Sequence, residues 1–261
     1  MRKVDYHMHT HFSADSTEDA RAHIEEALAN ELEEICFTDH RDFDYPGMAF
    51  DLDVKAYQSE IEKLKLEFSD RIKIKWGLEI GLDMNYIDEI NSFVTSADFD
   101  FVIGSIHVVN HEEFYESQHF FDEYSRKVAY QLYFDAMLAC VRKFDCFNSL
   151  AHMDYIVRYA TYEQAFIGTE EFADEIQDIL KTLVAKDKAL EVNTRLFDKP
   201  KTIEFYQNLL KKFKEYGGSK VTLGTDSHIA KRNWENVEKA RKLIVESGFP
   251  DLTTYTAQRA D

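Results

Sequence analysis

Short apolar runs alternate along this chain with longer stretches in which apolar residues recur every three or four positions. The first pattern predicts buried strands and the second amphipathic helices. Lys3 to Tyr6 reads as a first strand. Ser16-Thr17-Glu18-Asp19 has the form of a capping box, ahead of Ala20, Ile24, Ala27 and Leu28 at helical spacing. Glu34 to Thr38 is a second strand, and Val54, Tyr57, Ile61, Leu64 and Phe68 mark a helix. Ile72 to Ile80 is a third strand, followed by a helix over Ile87 to Val94. Phe101 to Ile106 is a fourth strand, and one long helix is predicted over Asp122 to Lys143. Strands at Phe147 to Ala151, Ala189 to Asn193 and Lys220 to Gly224 then alternate with helices over Glu170 to Lys186, Thr202 to Tyr216 and Trp234 to Ser247.

Seven strand–helix units imply a parallel sheet with helices outside it, either a closed barrel or an open doubly wound sheet. The 261 residues carry three prolines, nine glycines, no low-complexity linker and no internal repeat, so one barrel domain over residues 1–261 is expected. Cys36, Cys140 and Cys146 form no paired spacing, and reduced thiols are expected. The segment from Met1 to His7 has no apolar core of a signal peptide, and no run is long enough to span a membrane. A cytoplasmic protein is the expectation. The formal net charge of -18 disfavours nucleic acid and anionic lipid as partners. It leaves room for a small anionic substrate, because bound cations reverse the field inside one pocket.

The candidate chemistry changes the picture most. His7, His9 and Asp15 follow the first strand and His40 follows the second. Glu79 ends the third, His107 follows the fourth, His152 the fifth, and Asp226 and His228 the seventh. In a parallel barrel the C-terminal strand ends face one rim, so these residues converge there. This favours the barrel over the open sheet. His7 and His9, two apart on an extended chain, point the same way. Catalytic metal sites often use three protein ligands and keep a position for water, so nine such ligands suit three divalent ions. Zinc is the expected ion, with manganese and iron as alternatives. Three divalent ions bring roughly +6, the three carboxylates return about -3, and a phosphate dianion is the natural guest. His23 lies in a predicted helix and is assigned to the surface. His111 and His119 follow the fourth strand, as substrate contacts or as solvated side chains. Asp15 has a second reading as a helix cap.

The segments HMHTHFSAD (7–15), FTDH (37–40), GLE (77–79), GSIHVVN (104–110), AHMDYIVR (151–158), EVNT (191–194) and GTDSH (224–228) resemble the polymerase-and-histidinol-phosphatase (PHP) family, and within it the histidinol-phosphate phosphatase branch. The resemblance runs from residue 7 to 228. It implies a distorted (β/α)7 barrel with a trinuclear centre. His7, His9, Glu79 and Asp226 match the ligands of one ion, Glu79 with His107 and His152 a second, and Asp15, His40 and His228 a third. The chain departs from the pattern at Asp15, where some relatives have histidine, and at Arg195, where many have Ser-Gly after Asn-Thr.

The expected reaction is hydrolysis of a phosphate monoester, L-histidinol phosphate first, by metal-bound hydroxide attacking phosphorus. Arg158 and Arg195 follow the fifth and sixth strands and are candidates to fork onto the phosphoryl oxygens. Asp226 is a candidate proton donor. Asp42, Glu113 and Tyr115 are candidates to hold the substrate's amine and imidazole. The competing readings are a nucleotide phosphatase or 3′-exonuclease of the same family, an amidohydrolase, and a non-catalytic metal-binding module.

Overall fold

In the computed structural model, which describes residues 1–115, 118–168 and 170–261, the alternation folds as a parallel sheet wrapped by helices. Seven strands form its main path among the described residues: β1 Val4–Asp5, β2 Glu34–Phe37, β3 Lys73–Gly81, β4 Phe101–Ser105, β5 Ser149–Leu150, β6 Ala189–Asn193 and β7 Val221–Gly224. Neighbours in sequence are neighbours in the sheet, and every pairing along the path is parallel. The helices between and after them are α1 Ala20–Ala29, α2 Val54–Glu67, α3 Ile87–Val94, α4 Arg126–Lys143, α5 Ala173–Ala185, α6 Pro200–Glu215 and α7 Trp234–Glu246.

The sheet curls into a nearly closed barrel. Tyr6 N–H donates to the Leu223 carbonyl at 2.9 Å and Asp226 N–H to the His7 carbonyl at 2.8 Å, which brings the first strand against the last. Strands covered on both faces carry continuous apolar runs. Leu78 and Ile80 of β3, and Val102 and Ile103 of β4, are fully buried accordingly. Register fixes which polar residues reach the rim. Glu79 pairs with Ile103 one way and with His40 the other, and Asn193 pairs with Gly224. At the opposite end, a hairpin of Tyr255–Thr256 and Arg259–Ala260 packs on the N-terminal strand ends, where Gln258 N–H donates to the Asp100 carbonyl at 2.8 Å.

Local differences from the sequence reading have identifiable causes. The cap of α1 is Asp19, whose carboxylate accepts from Arg21 N–H at 2.7 Å. Ser16 instead donates to the His228 carbonyl at 3.0 Å, so no Ser16 capping box forms. The long helix over Asp122 to Lys143 is broken. A short turn over His119–Glu123 ends at Tyr124 and Ser125, both extended, before α4 begins. Tyr162 fixes that break by donating to the Tyr124 carbonyl at 2.6 Å. Val108–Val109 and Glu112–Glu113 form an unforeseen antiparallel hairpin beside the rim. Cys36, Cys140 and Cys146 are free thiols, the first two buried.

Candidate metal centre

The strand ends deliver the histidines and carboxylates to one place, with the Glu79 carboxylate at the middle. On its Oε2 side lie His7 Nε2 at 3.0 Å, His9 Nε2 at 3.3 Å and His40 Nδ1 at 3.0 Å. On its Oε1 side lie His107 Nε2 at 3.3 Å and His152 Nε2 at 3.1 Å, and Ser105 Oγ donates at 2.5 Å. Asp226 Oδ1 joins the first side, 3.3 Å from His9 Nε2 and 3.7 Å from His7 Nε2. Asp15 sits further out, its Oδ2 3.0 Å from His228 Nε2 and 3.7 Å from His40 Nε2. All nine residues singled out for metal from the sequence are therefore in one cluster. The cap reading of Asp15 falls away, because Asp19 caps α1. Asp226 has a left-handed backbone, φ 54°, a conformation Asp tolerates better than most residues.

The donor set suits cations. Tetrahedral bonds of about 2.0–2.1 Å put neighbouring ligand atoms roughly 3.3–3.4 Å apart, close to the separations here. His9 Nε2 and His40 Nδ1 are buried with no hydrogen-bond partner, though carboxylate oxygens lie 3.0–3.3 Å away. An unpaired buried polar atom costs about 1–3 kcal/mol, and an ion between the facing atoms removes that cost. Sets such as His7, His9 and Glu79, or Glu79, His107 and His152, have converging ligand atoms.

Charge tells the same story. Burial raises a carboxyl, yet His7, His40 and His107 hold Glu79 well below the usual carboxylate range. Burial opposes ionisation of Asp226 too, but Arg158 and His7 keep it ionised. Burial lowers His107, but Asp42 and Glu79 push it up to about 10. Burial likewise opposes a charge on His7, and Glu79, Glu191 and Asp226 raise it well above the usual histidine value. In a buried acidic cluster, protons on imidazoles and divalent ions are alternative sources of the same positive charge.

A cavity of about 140 Å³ opens onto the cluster. Tyr45, Phe50, Tyr155 and Tyr159 form an aromatic wall; His107, His152, Asp226, Arg158 and Arg195 form the polar floor. Glu113 and Tyr115 line it, brought there by the unforeseen hairpin, and Tyr45 OH donates to Glu113 at 3.1 Å. Arg158 lies over the Tyr155 ring, bonds Asp226, and donates to Asn193 Oδ1 at 3.0 Å. Arg195 donates to the Asp226 carbonyl at 2.6 Å.

Asp42 differs from expectation. It does not line the cavity; its Oδ1 is 2.8 Å from His107 Nδ1. His111 is exposed, and His119 pairs with Glu112 at 2.7 Å and is 70 % exposed; neither lines the cavity. His23, assigned to the surface, is fully buried and donates through Nε2 to the His9 carbonyl at 2.9 Å. Burial and the nearby Arg232 push it down to about 3, so it is neutral. Its place three residues after Ala20 and four before Ala27 puts it on the inward stripe of α1, a readable signal. Ser13, Asp39 and Glu191 were also missed. Ser13 Oγ donates to Asp39 at 2.7 Å, accepts from His40 N–H at 3.0 Å and lies 3.2 Å from His9 Nδ1.

An α/β barrel with histidines and carboxylates gathered at its C-terminal rim defines the class: metal-centred hydrolase barrels. The PHP domain profile matches residues 5–195, and the chain belongs to the PHP family. It is 49 % identical over 261 residues to a histidinol-phosphatase from Lactococcus lactis subsp. lactis (strain IL1403), covering 100 % of this chain and 97 % of that protein. It is 35 % identical over 243 residues to a probable histidinol-phosphatase from Clostridium acetobutylicum, covering 92 % and 91 %. A crystal structure of a Lactococcus lactis histidinol phosphate phosphatase, complexed with zinc, L-histidinol and phosphate, superposes with a TM-score of 0.98 at 49 % identity, covering 100 % of this chain and 99 % of that one. No helix among the described residues is long and apolar enough to cross a membrane.

Proposed function

We propose that this chain is a metal-dependent phosphatase that hydrolyses L-histidinol phosphate, with three divalent ions held by the rim cluster. The observation that carries it is the convergence of nine candidate ligands, Glu79 and Asp15 among them, beneath a cavity that two arginines also line. The likeness to a protein solved with zinc, L-histidinol and phosphate supports this substrate and this metal.

His7, His9, Glu79 and Asp226 would hold one ion, Glu79, His107 and His152 a second, and Asp15, His40 and His228 a third. When bound, such ions act as Lewis acids and lower the pKa of water from 15.7 to ~7. The chain's own residues do the rest. Arg158 and Arg195 present guanidinium edges at the cavity floor and offset charge as it builds on the phosphoryl oxygens. Asp226 and Asn193 fix Arg158 in place, so little rotamer freedom is lost when phosphate binds. The aromatic wall excludes water from the leaving group and packs on its imidazole. Glu113, buried at the cavity edge, offers a carboxylate to the substrate's ammonium.

The test is phosphate release from histidinol phosphate against a panel of nucleotides and simple monoesters, with zinc, manganese or iron supplied to chelator-stripped protein. A strong preference for histidinol phosphate that returns with metal supports the reading. Equal rates on nucleotides, or metal-independent turnover, reject it.

A further inference from the structure

Two buried carboxylates stand behind the cluster and touch it from outside the cavity. Glu191, in β6, is 1 % exposed, and its Oε1 lies 2.7 Å from His7 Nδ1. Its Oε2 accepts from His152 N–H at 2.8 Å and from Asn193 Nδ2 at 3.2 Å. Asp42, 4 % exposed, places Oδ1 2.8 Å from His107 Nδ1. Each occupies space that only a glycine leaves open. A Cβ on Gly224 would lie 2.2 Å from Glu191 Oε1 and 2.4 Å from His7 Cβ; one on Gly81 would lie 2.0 Å from Asp42 Oδ1. The same three parts, glycine, carboxylate and imidazole, recur at two unrelated places in the sheet.

Resting on the metal-centre reading above, we propose that Glu191 and Asp42 are positioning residues for His7 and His107. They hold both rings as Nδ1–H tautomers with Nε2 turned to Glu79, and Gly224 and Gly81 are glycines to admit them. The reason is donor–acceptor arithmetic. An ionised carboxylate only accepts, so the single proton of a neutral imidazole beside it sits on Nδ1 and the Nε2 lone pair is left for an ion.

His9, His152 and His228 lack this backing. His9 Nδ1 meets the Ser13 hydroxyl at 3.2 Å, and His152 Nδ1 is buried without a hydrogen-bond partner. His228 Nδ1 faces the Asp226 carbonyl at 3.1 Å and Arg195 at 3.3 Å. One backed histidine therefore falls on each oxygen of Glu79, whereas in the Asp15, His40 and His228 group no ring nitrogen is hydrogen-bonded to a carboxylate behind it: His40 Nδ1 lies 3.0 Å from Glu79 Oε2 without a hydrogen bond. The outer ion is consequently the first to leave under chelation.

Nitrogen-15 spectra of histidine-labelled, zinc-loaded protein read the tautomers directly. The expected result is a proton on Nδ1 of His7 and His107; a proton on Nε2 of either ring overturns the proposal without any variant. Chelator competition then measures zinc affinity. Glu191→Gln keeps the shape but must aim an N–H at His7 or at the His152 amide, both of which its two oxygens now face; Asp42→Ala removes the acceptor behind His107 Nδ1. Each is expected to weaken zinc binding by about 10–100-fold, as loss of an orienting partner does. Gly224→Ala gives a similar loss, and combined with Glu191→Gln less than the sum, because both act on one contact. Unchanged affinity in all of them overturns the proposal. A wild-type protein that binds no zinc or leaves histidinol phosphate intact sinks the metal-phosphatase reading instead.

Discussion

Glu79 and Asp15 anchor two ends of one cluster built in opposite ways. Glu79 and His7 are fully buried, they come from barrel strands or the residues directly after, and each has several partners. Asp15 and His228 sit on loops, with 25 % and 20 % of their side chains exposed. In the deep half, Ser105, Glu191 and Asp42 contact Glu79, His7 and His107 from behind. In the outer half, Asp15 is held mainly by the imidazoles it would share an ion with. Low dielectric strengthens every interaction around Glu79, while solvent screens those at Asp15. On the proposed function the difference is a division of labour: a rigid floor placed to hold ions, and a partly exposed edge open to substrate and to ion exchange.

Substitutions at the two ends test that division. Glu79→Gln removes the carboxylate common to two proposed ion positions. Activity is expected to fall by far more than the ~10–100-fold a supporting residue costs, with two ions missing by elemental analysis. Retention of full metal content would merge the two halves into one. Arg158→Ala leaves Asp226 ionised and buried without its guanidinium partner, and removes a phosphoryl contact. A loss of about 10²-fold or more in kcat/KM is expected, with metal retained; unchanged kcat/KM takes Arg158 out of the site. Asp15→Asn acts only on the outer half. One ion of three should be lost, with the zinc affinity of the remaining two unaltered; loss of all three contradicts the independence of the halves. Glu113→Gln touches neither. It is expected to raise KM for histidinol phosphate about 10-fold at constant kcat, the size of one charged hydrogen bond, and an unaltered KM removes Glu113 from amine recognition.

The floor and edge were legible to different depths in the sequence. Histidines and carboxylates at the ends of apolar runs locate a rim, because strand direction in a parallel barrel is set by the alternation itself. Seven such runs are enough to bring His7 and Asp226 together from opposite ends of the chain. What orients those residues was not legible, because it depends on register between strands. Glu191 lies between Leu190 and Val192, an acid inside a buried run, which flags it without naming its partner. Asp42 looked like a rim residue free for substrate, and only the missing side chain of Gly81 shows where it goes. His23 was readable from its helical face, whereas the hairpin carrying Glu113 has strands of two residues, too short for any periodicity.

The most direct measurement is anomalous diffraction at the zinc edge from crystals of zinc-loaded protein. Two strong peaks beside the Glu79 carboxylate, one between His7, His9 and Asp226 and one between His107 and His152, with a weaker third among Asp15, His40 and His228, are the predicted result. A map with no peak at Glu79, or with its strongest peak elsewhere on the molecule, would contradict it.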